Sequence, residues 1–415
     1  MNGAEIMEGD MGQRVAVVKK GKKTVLETVR EAIGFLGGIQ AFVKPGQKVM
    51  LKPNCTGPLS SEDGAVTSNE VLESLIILAR DAGAAQVDIV EGSGAFHLGT
   101  MRIFRALGVD ALARRQNARL YDANEAGFTV VRNKDFIMMD EIEISKMVWQ
   151  YDVIINIPVM KTHPLTEITV AYKNMNGLLS PRDKRRFHDY NMRKAIVDLT
   201  TALPPYLTVV DGLTAMEGLG PLEGTPVDMG LVMAGASPAA VDATAARIMG
   251  FLPEKLEYLR EAEKAGHGSI REEDIEILGE AIRDVAYTFK TAEPGKQQYE
   301  GISVFELEMP ERCYGCRAVM AIALTRIREA GHLPGFRGMQ ILMNGDDPEK
   351  LPPLGEGGHL FCIGNCTRNY YEKHKGRENV HFIMGCAPSG LTTEEAFREC
   401  YGISRPDRHV RGHVD

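Results

Sequence analysis

Residues 153–177 read VIINIPVMKTHPLTEITVAYKNMNG. The unbroken apolar run from Val153 to Ile157 has the composition of a strand buried on both faces, as in a parallel sheet. Two ammonium groups and an imidazole follow it, in Lys161, His163 and Lys173. A buried strand that delivers cations at its end implies a sheet whose strand ends meet a ligand.

The same layout recurs on either side. KVMLKPN (48–54) is a strand stopped by Pro53, which cannot donate to a ladder, and it ends in Lys52, Asn54 and Cys55. QVDIVEGSG (86–94) runs through Glu91 into a glycine turn. LTVVDGL (207–213) ends in Asp211-Gly212, with Glu217 close behind. RVAVVKK (14–20) and GLVMAGA (230–236) are further strands. Between them, 23–36, 68–84 and 237–250 carry apolar residues at helical spacing. Ser68 and Ser237 stand at N-cap positions, Pro238 in a first turn and Gly83 after a last one. EEDIEILGEAIRDV (272–285) reads as a strand, a turn and a return. Such alternation predicts an α/β fold, a mostly parallel sheet covered by helices, over residues 1–290. The polar, glycine-containing stretch 291–310 reads as a linker. Residues 311–415 form a small C-terminal α/β cysteine-rich domain.

Ligands of doubly wound sheets sit at the carboxyl ends of the strands. A parallel sheet therefore gathers Lys52, Glu91, Lys161, His163 and Asp211 at one edge, with Asn54, Lys173, Asn174 and Glu217 around them. Each has a plainer explanation: a solvated strand end for Lys52, a turn for His163 and for Asp211-Gly212, a helix cap for Glu91. Recurrence at four strand ends favours a site. SPRDKRRFHDYNMRK (180–194) adds Arg185 and His188. It is either a solvated face or an anion-binding loop, since guanidinium groups suit carboxylate and phosphate. GSGAFHLG (92–99) is not G-x-G-x-x-G and there is no phosphate-binding G-x-x-x-x-G-K-[ST], which disfavours nucleotide binding.

Six of the seven cysteines fall after residue 312. An odd count in a chain without a secretory signal argues for metal rather than disulfides. Cys313-Tyr-Gly-Cys316, Cys362-Ile-Gly-Asn-Cys366 and Gly385-Cys386 suit either an iron–sulfur cluster, whose sulfides accept bonds from nearby backbone N–H groups, or a Cys₄ zinc. Spacing leaves Cys362 and Cys366 as rivals for one place. Cys400 sits in a helical pattern as a core residue, and Cys55 is either a site residue or a packed thiol.

The chain resembles the DUF362 family of bacterial and archaeal proteins, many of which carry iron–sulfur clusters. The resemblance rests on LKPN (51–54), the turn after IVEG (89–92), NIPVMKTH (156–163), YKNMNG (172–177), His188, VVDGLTAMEGLGPLEG (209–224) and ASPAAVDATAARIMG (236–250). It covers about residues 48 to 250, and implies an α/β core with an anion-sized pocket lined by Lys52, Lys161, His163, Lys173 and Asp211. Many relatives append a ferredoxin-type module with two C-x₂-C-x₂-C-x₃-C-P runs. This chain has the sparser arrangement above, hence one cluster at most.

The expectation is an iron–sulfur oxidoreductase. One [4Fe–4S] cluster on Cys313, Cys316, Cys366 and Cys386 exchanges electrons with a small anionic substrate. Lys52, Lys161 and Lys173 bind the anion, and His163 donates a proton, because imidazole titrates near neutrality. Glu91 and Asp211 orient these groups; Asn54, Asn174, His188, Arg185 and Glu217 complete the substrate site. A ferredoxin-like donor is the expected partner, and a homodimer is one permitted assembly. The alternatives are a lyase or isomerase using an open iron as a Lewis acid, and an electron carrier or binding protein. The net charge of −8 argues against nucleic acid. No apolar run reaches the roughly 18 residues of a membrane span, so the expected location is the cytoplasm, with Met1, Met7 and Met11 all available as starts.

Overall fold

The computed structural model describes residues 13–94, 99–294, 298–307, 315–345, 354 and 357–404. These divide into two compact units. The first holds the described residues up to Arg185 together with Arg193–Thr291; the second holds Arg186–Met192 and the described residues from Ala292 onward.

In the first unit the strands are β1 (Arg14–Lys19), β2 (Lys48–Pro53), β3 (Gln86–Glu91), β4 (Arg119–Asp122), a separate hairpin β5 (Phe128–Val131) and β6 (Ile142–Ser145), then β7 (Val153–Ile157), β8 (Val159–His163), β9 (Glu167–Thr169), β10 (Leu207–Glu217), β11 (Thr225–Gly235) and β12 (Glu276–Gly279). The main sheet runs β12-β1-β11-β10-β7-β2-β3-β4, with β8 paired to β10 and β9 to β8. Its centre, β10-β7-β2-β3-β4, is parallel. The expected α/β class holds.

Helices α1 (Val25–Gly34) and α2 (Asn69–Asp81) start where the sequence provides caps. Thr24 and Glu27 close a capping box, and Ser68 accepts from the backbone of Val71. Gly83, at φ +86°, takes the left-handed conformation that ends α2. Val29 and Ile33 of α1 and Leu75 and Ile76 of α2 pack on Val49, Leu51, Ile89, Ile155 and Val209. Each such side chain contributes roughly 1.5–3 kcal/mol by leaving water.

Three expectations change here. Pro158 breaks the pairing of β7 but not the chain direction. The strand re-forms as β8, now pairing Val159 with Asp211, so Lys161 and His163 lie within a strand rather than in a turn after one. Asp211 likewise lies inside β10, which continues to Glu217 and returns as the antiparallel β11. Residues 272–285 give β12 and then a short helix, Ile282–Val285, not a returning strand.

Further helices of this unit are α3 (Ala171–Asn174), α4 (Pro181–Asp189) and α5 (Pro238–Ile248). The last turn of α4 belongs to the second unit, which departs from a simple division at residue 290.

The second unit is a parallel sheet in the order β13 (Ile302–Glu306), β14 (Met339–Met343), β15 (Leu360–Ile363) and β16 (Val380–Ile383). Part of the stretch expected as a linker is thus strand β13. The helices are α6 (Gly315–Glu329), α7 (Arg368–His374) and α8 (Gly390–Cys400). Tyr370 of α7 packs with Leu342, Leu360 and Val380 on one face, while Phe397 of α8 meets Phe361 on the other.

Candidate functional site

The ends of β2 and β3 build the site's centre. These strands are parallel neighbours in register, Leu51 opposite Ile89. Carried on, that register sets Lys52 beside Val90, with Glu91 one residue further along at the level of Pro53. The side chains of Lys52 and Glu91 meet at the strand ends, and their ion pair closes at 2.9 Å with both essentially out of water. Glu91 also accepts from the backbone N–H groups of Cys55 (2.9 Å) and Gly92 (2.8 Å). Lys52 gives a further bond to the carbonyl of Pro53 at 2.7 Å. A charged pair this deep survives only because its remaining donors and acceptors are occupied.

Three more lysines lie around this pair. Lys161 donates to Asn54 Oδ1 (2.7 Å) and to the carbonyl of Ala65 (2.8 Å). Burial, reinforced by the charge of Lys173, pushes its amine down to about 7. Lys184, on α4, donates to the carbonyls of Gly92 (2.9 Å) and Ser93 (3.1 Å) and to Asn124 Oδ1 (2.6 Å). Burial lowers it to about 8. Lys173, on α3, is lowered to about 8 by burial and by Lys52. Among the described residues it makes no hydrogen bond or ion pair, and it is half-buried where Lys52 and Lys161 are fully buried. Among the described residues a nearby acceptor, Asn174 Oδ1, is buried without a partner, although its amide nitrogen donates to the carbonyl of Lys52 and to Asn156 Oδ1.

Two glycines let the backbone close on this group. A Cβ at Gly177 would collide with Glu91 Oε1 and come within 2.7 Å of Lys52 Cε. One at Gly92 would collide with the carbonyl of Gly177 and sit 2.9 Å from Lys184 Nζ.

The other expected residues fall elsewhere. His163 is buried, and its Nδ1 accepts from the backbone of Leu165 (3.0 Å) and Thr166 (3.3 Å), leaving Nε2 as the nitrogen that carries a proton. Asp211 accepts from Ser68 N–H (2.8 Å) and Leu213 N–H (3.1 Å), so it orients the start of α2 rather than a lysine. Burial raises its carboxyl above the usual range. Glu217 holds Lys290, through both backbone and ammonium. Arg185 is exposed. His188 belongs to the second unit, where its carbonyl accepts from Cys386 N–H at 3.1 Å. The basic run 180–194 is helical, and only Lys184 of its cations reaches the Glu91 group; Ser180, accepting from Asp183 N–H, was the sequence signal for that helix. Cys55 is a packed thiol, pushed well up by burial.

Asp242 was missed. It accepts from the N–H groups of Ala171 (2.7 Å) and Tyr172 (3.4 Å) and from Tyr258 (3.0 Å), which fixes α3 and with it Lys173. Burial raises its carboxyl to about 7. Its place inside a helix pattern gave no signal.

In the second unit, Cys313 lies outside the described residues. Cys316 is buried in the first turn of α6, Cys366 is exposed after β15, and Cys386 follows β16. A Cβ at Gly364 would lie 2.8 Å from Cys316 Sγ and 3.6 Å from Cys366 Sγ, so both sulfurs face the same bare backbone. Asn365 N–H to Gly385 carbonyl (2.9 Å) and Gly385 N–H to Asn365 Oδ1 (3.0 Å) tie the loops of Cys366 and Cys386 together. Thiols gathered on one stretch of bare backbone can serve as metal ligands. Cys362 packs in the core with Leu360 and Tyr370, and burial pushes its thiol up to about 12, which sets it apart from the exposed Cys366.

The model of the family described as "Domain of unknown function (DUF362)" matches residues 49–247. This segment is a DUF362 domain. The whole lysine group around Glu91 lies inside it. The chain is also 27% identical over 258 residues, 59% of its length and 75% of the relative's, to the thylakoid-associated protein sll1697 of Synechocystis sp.. Among solved structures it is similar to the lactate racemase apoprotein from Thermoanaerobacterium thermosaccharolyticum, with 12% identity, a TM-score of 0.42, and coverage of 94% of this chain and 81% of that one. That likeness is too distant to assign a chemistry to the DUF362 domain. No helix among the described residues is long and apolar enough to cross a membrane.

Proposed function

We propose that this protein is an iron–sulfur oxidoreductase whose DUF362 domain binds a small carboxylate- or phosphate-bearing substrate. The observation that carries the proposal is the imbalance around the Lys52–Glu91 pair: Lys161 and Lys184 also stand in the field of Glu91, Lys173 stands in that of Lys52, and among the described residues Lys173 has no hydrogen bond or ion pair. An anion on Lys173 offsets the excess positive charge and raises the depressed amines, so binding and protonation are coupled. Lys161, held by Asn54 and lowered to about 7 without the anion, takes up a proton near neutrality as the anion binds. His163, with Nδ1 occupied by backbone donors, offers a second proton at Nε2. Glu91 holds Lys52 in place, and Asp242 holds the helix that presents Lys173.

Cys313, Cys316, Cys366 and Cys386 are the residues that would hold a [4Fe–4S] cluster. When bound, such a cluster supplies single electrons, which makes a ferredoxin-class carrier the expected partner.

The test has two parts. Protein purified without oxygen is assayed for iron and sulfide and for bleaching of its visible absorption by dithionite; about four of each per chain with bleaching is expected. Thermal stabilisation by phosphate and small carboxylates is then compared in wild type and Lys173→Gln. Stabilisation that survives the substitution unchanged sinks the anion site, and protein with zinc but no iron sinks the cluster.

A further inference from the structure

We propose that His359, His381 and Cys400 form a site for one divalent ion of borderline softness, zinc foremost, apart from the cysteine group of Cys316, Cys366 and Cys386. The strand register creates it. Phe361 pairs with His381 across β15 and β16, so the two share a face, and His359, two residues before Phe361, shares it as well. Helix α8 lies on that face. Its Phe397 meets Phe361 edge-on at 4.7 Å, and one turn later Cys400 reaches His381.

His359 Nδ1 and His381 Nε2 are 2.8 Å apart, and Cys400 Sγ is 3.4 Å from His381 Nδ1. One ligand atom from each residue lies within 4.8 Å of the other two. The rings are held in place, His381 stacked on Phe361 at 4.9 Å and His359 edge-on to Tyr401 at 4.8 Å. The site sits toward the start of the strands, whereas Cys366 and Cys386 follow their ends.

Two imidazoles this close need a proton or a metal between their facing nitrogens. An ion takes only one nitrogen of His381; at Nε2 it sits 2.0–2.1 Å from both imidazoles once they separate to about 3.3 Å, a few tenths of an ångström more than observed, and the Cys400 thiolate, which faces Nδ1 in this structure, turns to the same side to join it. Imidazole and thiolate together select zinc-class ions, and the group contains no carboxylate that would favour magnesium or calcium. Three protein ligands leave a fourth position for water or another group.

The test uses the full chain with its iron counted. Zn²⁺ is added, excess is removed by gel filtration, and zinc is measured alongside iron. Wild type is expected to retain one zinc more per chain than Cys400→Ser or His359→Ala, with equal iron in all three. Zinc-edge X-ray absorption should show a mixed nitrogen and sulfur shell, about two nitrogens near 2.0 Å and one sulfur near 2.3 Å. His381→Gln, checked by circular dichroism, serves if Cys400→Ser fails to fold. Equal zinc in wild type and variants, no retained zinc, or an all-sulfur shell overturns the proposal.

Discussion

Glu91→Gln isolates the physics of the lysine group. The substitution keeps the side chain's shape but has one acceptor oxygen, so it can preserve only one of the bonds from Cys55 and Gly92, which go to different oxygens, and it removes the negative charge opposite Lys52. That pair closes at 2.9 Å with side-chain exposures of 0% and 2%. Lys52 then keeps only the Pro53 carbonyl. Breaking a buried pair from one side costs about 3–5 kcal/mol, because an uncompensated charge stays behind. Domains of 150–250 residues lose about 2–4 °C in melting temperature per kcal/mol, so the first unit should melt roughly 6 °C or more lower. The assay is thermal or urea unfolding at neutral pH, with the double variant Lys52→Met/Glu91→Leu alongside. Removing both charges is often close to neutral, so the double variant should regain most of the lost stability. A Glu91→Gln protein within about 1 kcal/mol of wild type, or a double variant no better than the single one, would refute a strained cationic centre held by one carboxylate.

Gly177→Ala drives a Cβ into the Glu91–Lys52 pair and should cost about 1–3 kcal/mol by overpacking, seen as a lower unfolding midpoint with an unchanged slope. Lys161 falls from 10.5 to about 7 on folding. Below pH 7 both states hold its proton and the burial cost is complete. As pH rises from 7 towards 10.5 the unfolded chain keeps a proton that the folded one has released, so stability should rise, by at most about 5 kcal/mol. Lys161→Met should flatten that rise in unfolding experiments across the range. Anion affinity should move the opposite way. Above pH 8, where Lys173 loses its proton, binding should weaken by up to about tenfold per pH unit in calorimetric titrations. Cys366→Ser should lose iron, while Cys362→Ala should keep it and lose about 1–2 kcal/mol of core packing; the reverse outcome would exchange their roles.

The amino-acid sequence by itself determined the elements and their class. Apolar runs over 48–54, 86–91 and 153–157 are buried on both faces, so composition alone reveals the parallel centre of the sheet. The caps at Thr24, Ser68 and Ser237 are local, because their bonds span three residues. Lys52 and Glu91 were legible for the same reason: both end strands whose neighbours also end there. Tertiary structure decided the rest. Periodicity reports burial but not pairing partners, so nothing local showed that the chain re-forms a strand beyond Pro158, or that Asp211 sits inside a long hairpin arm turned toward Ser68. Lys184 looks like any cation in a basic run, and only the docking of α4 against Gly92 and Asn124 makes it part of the site. His359, His381 and Cys400 are separated by 22 and 19 positions. They meet because parallel register and one helix face place them together, a distance relation that no sequence spacing encodes.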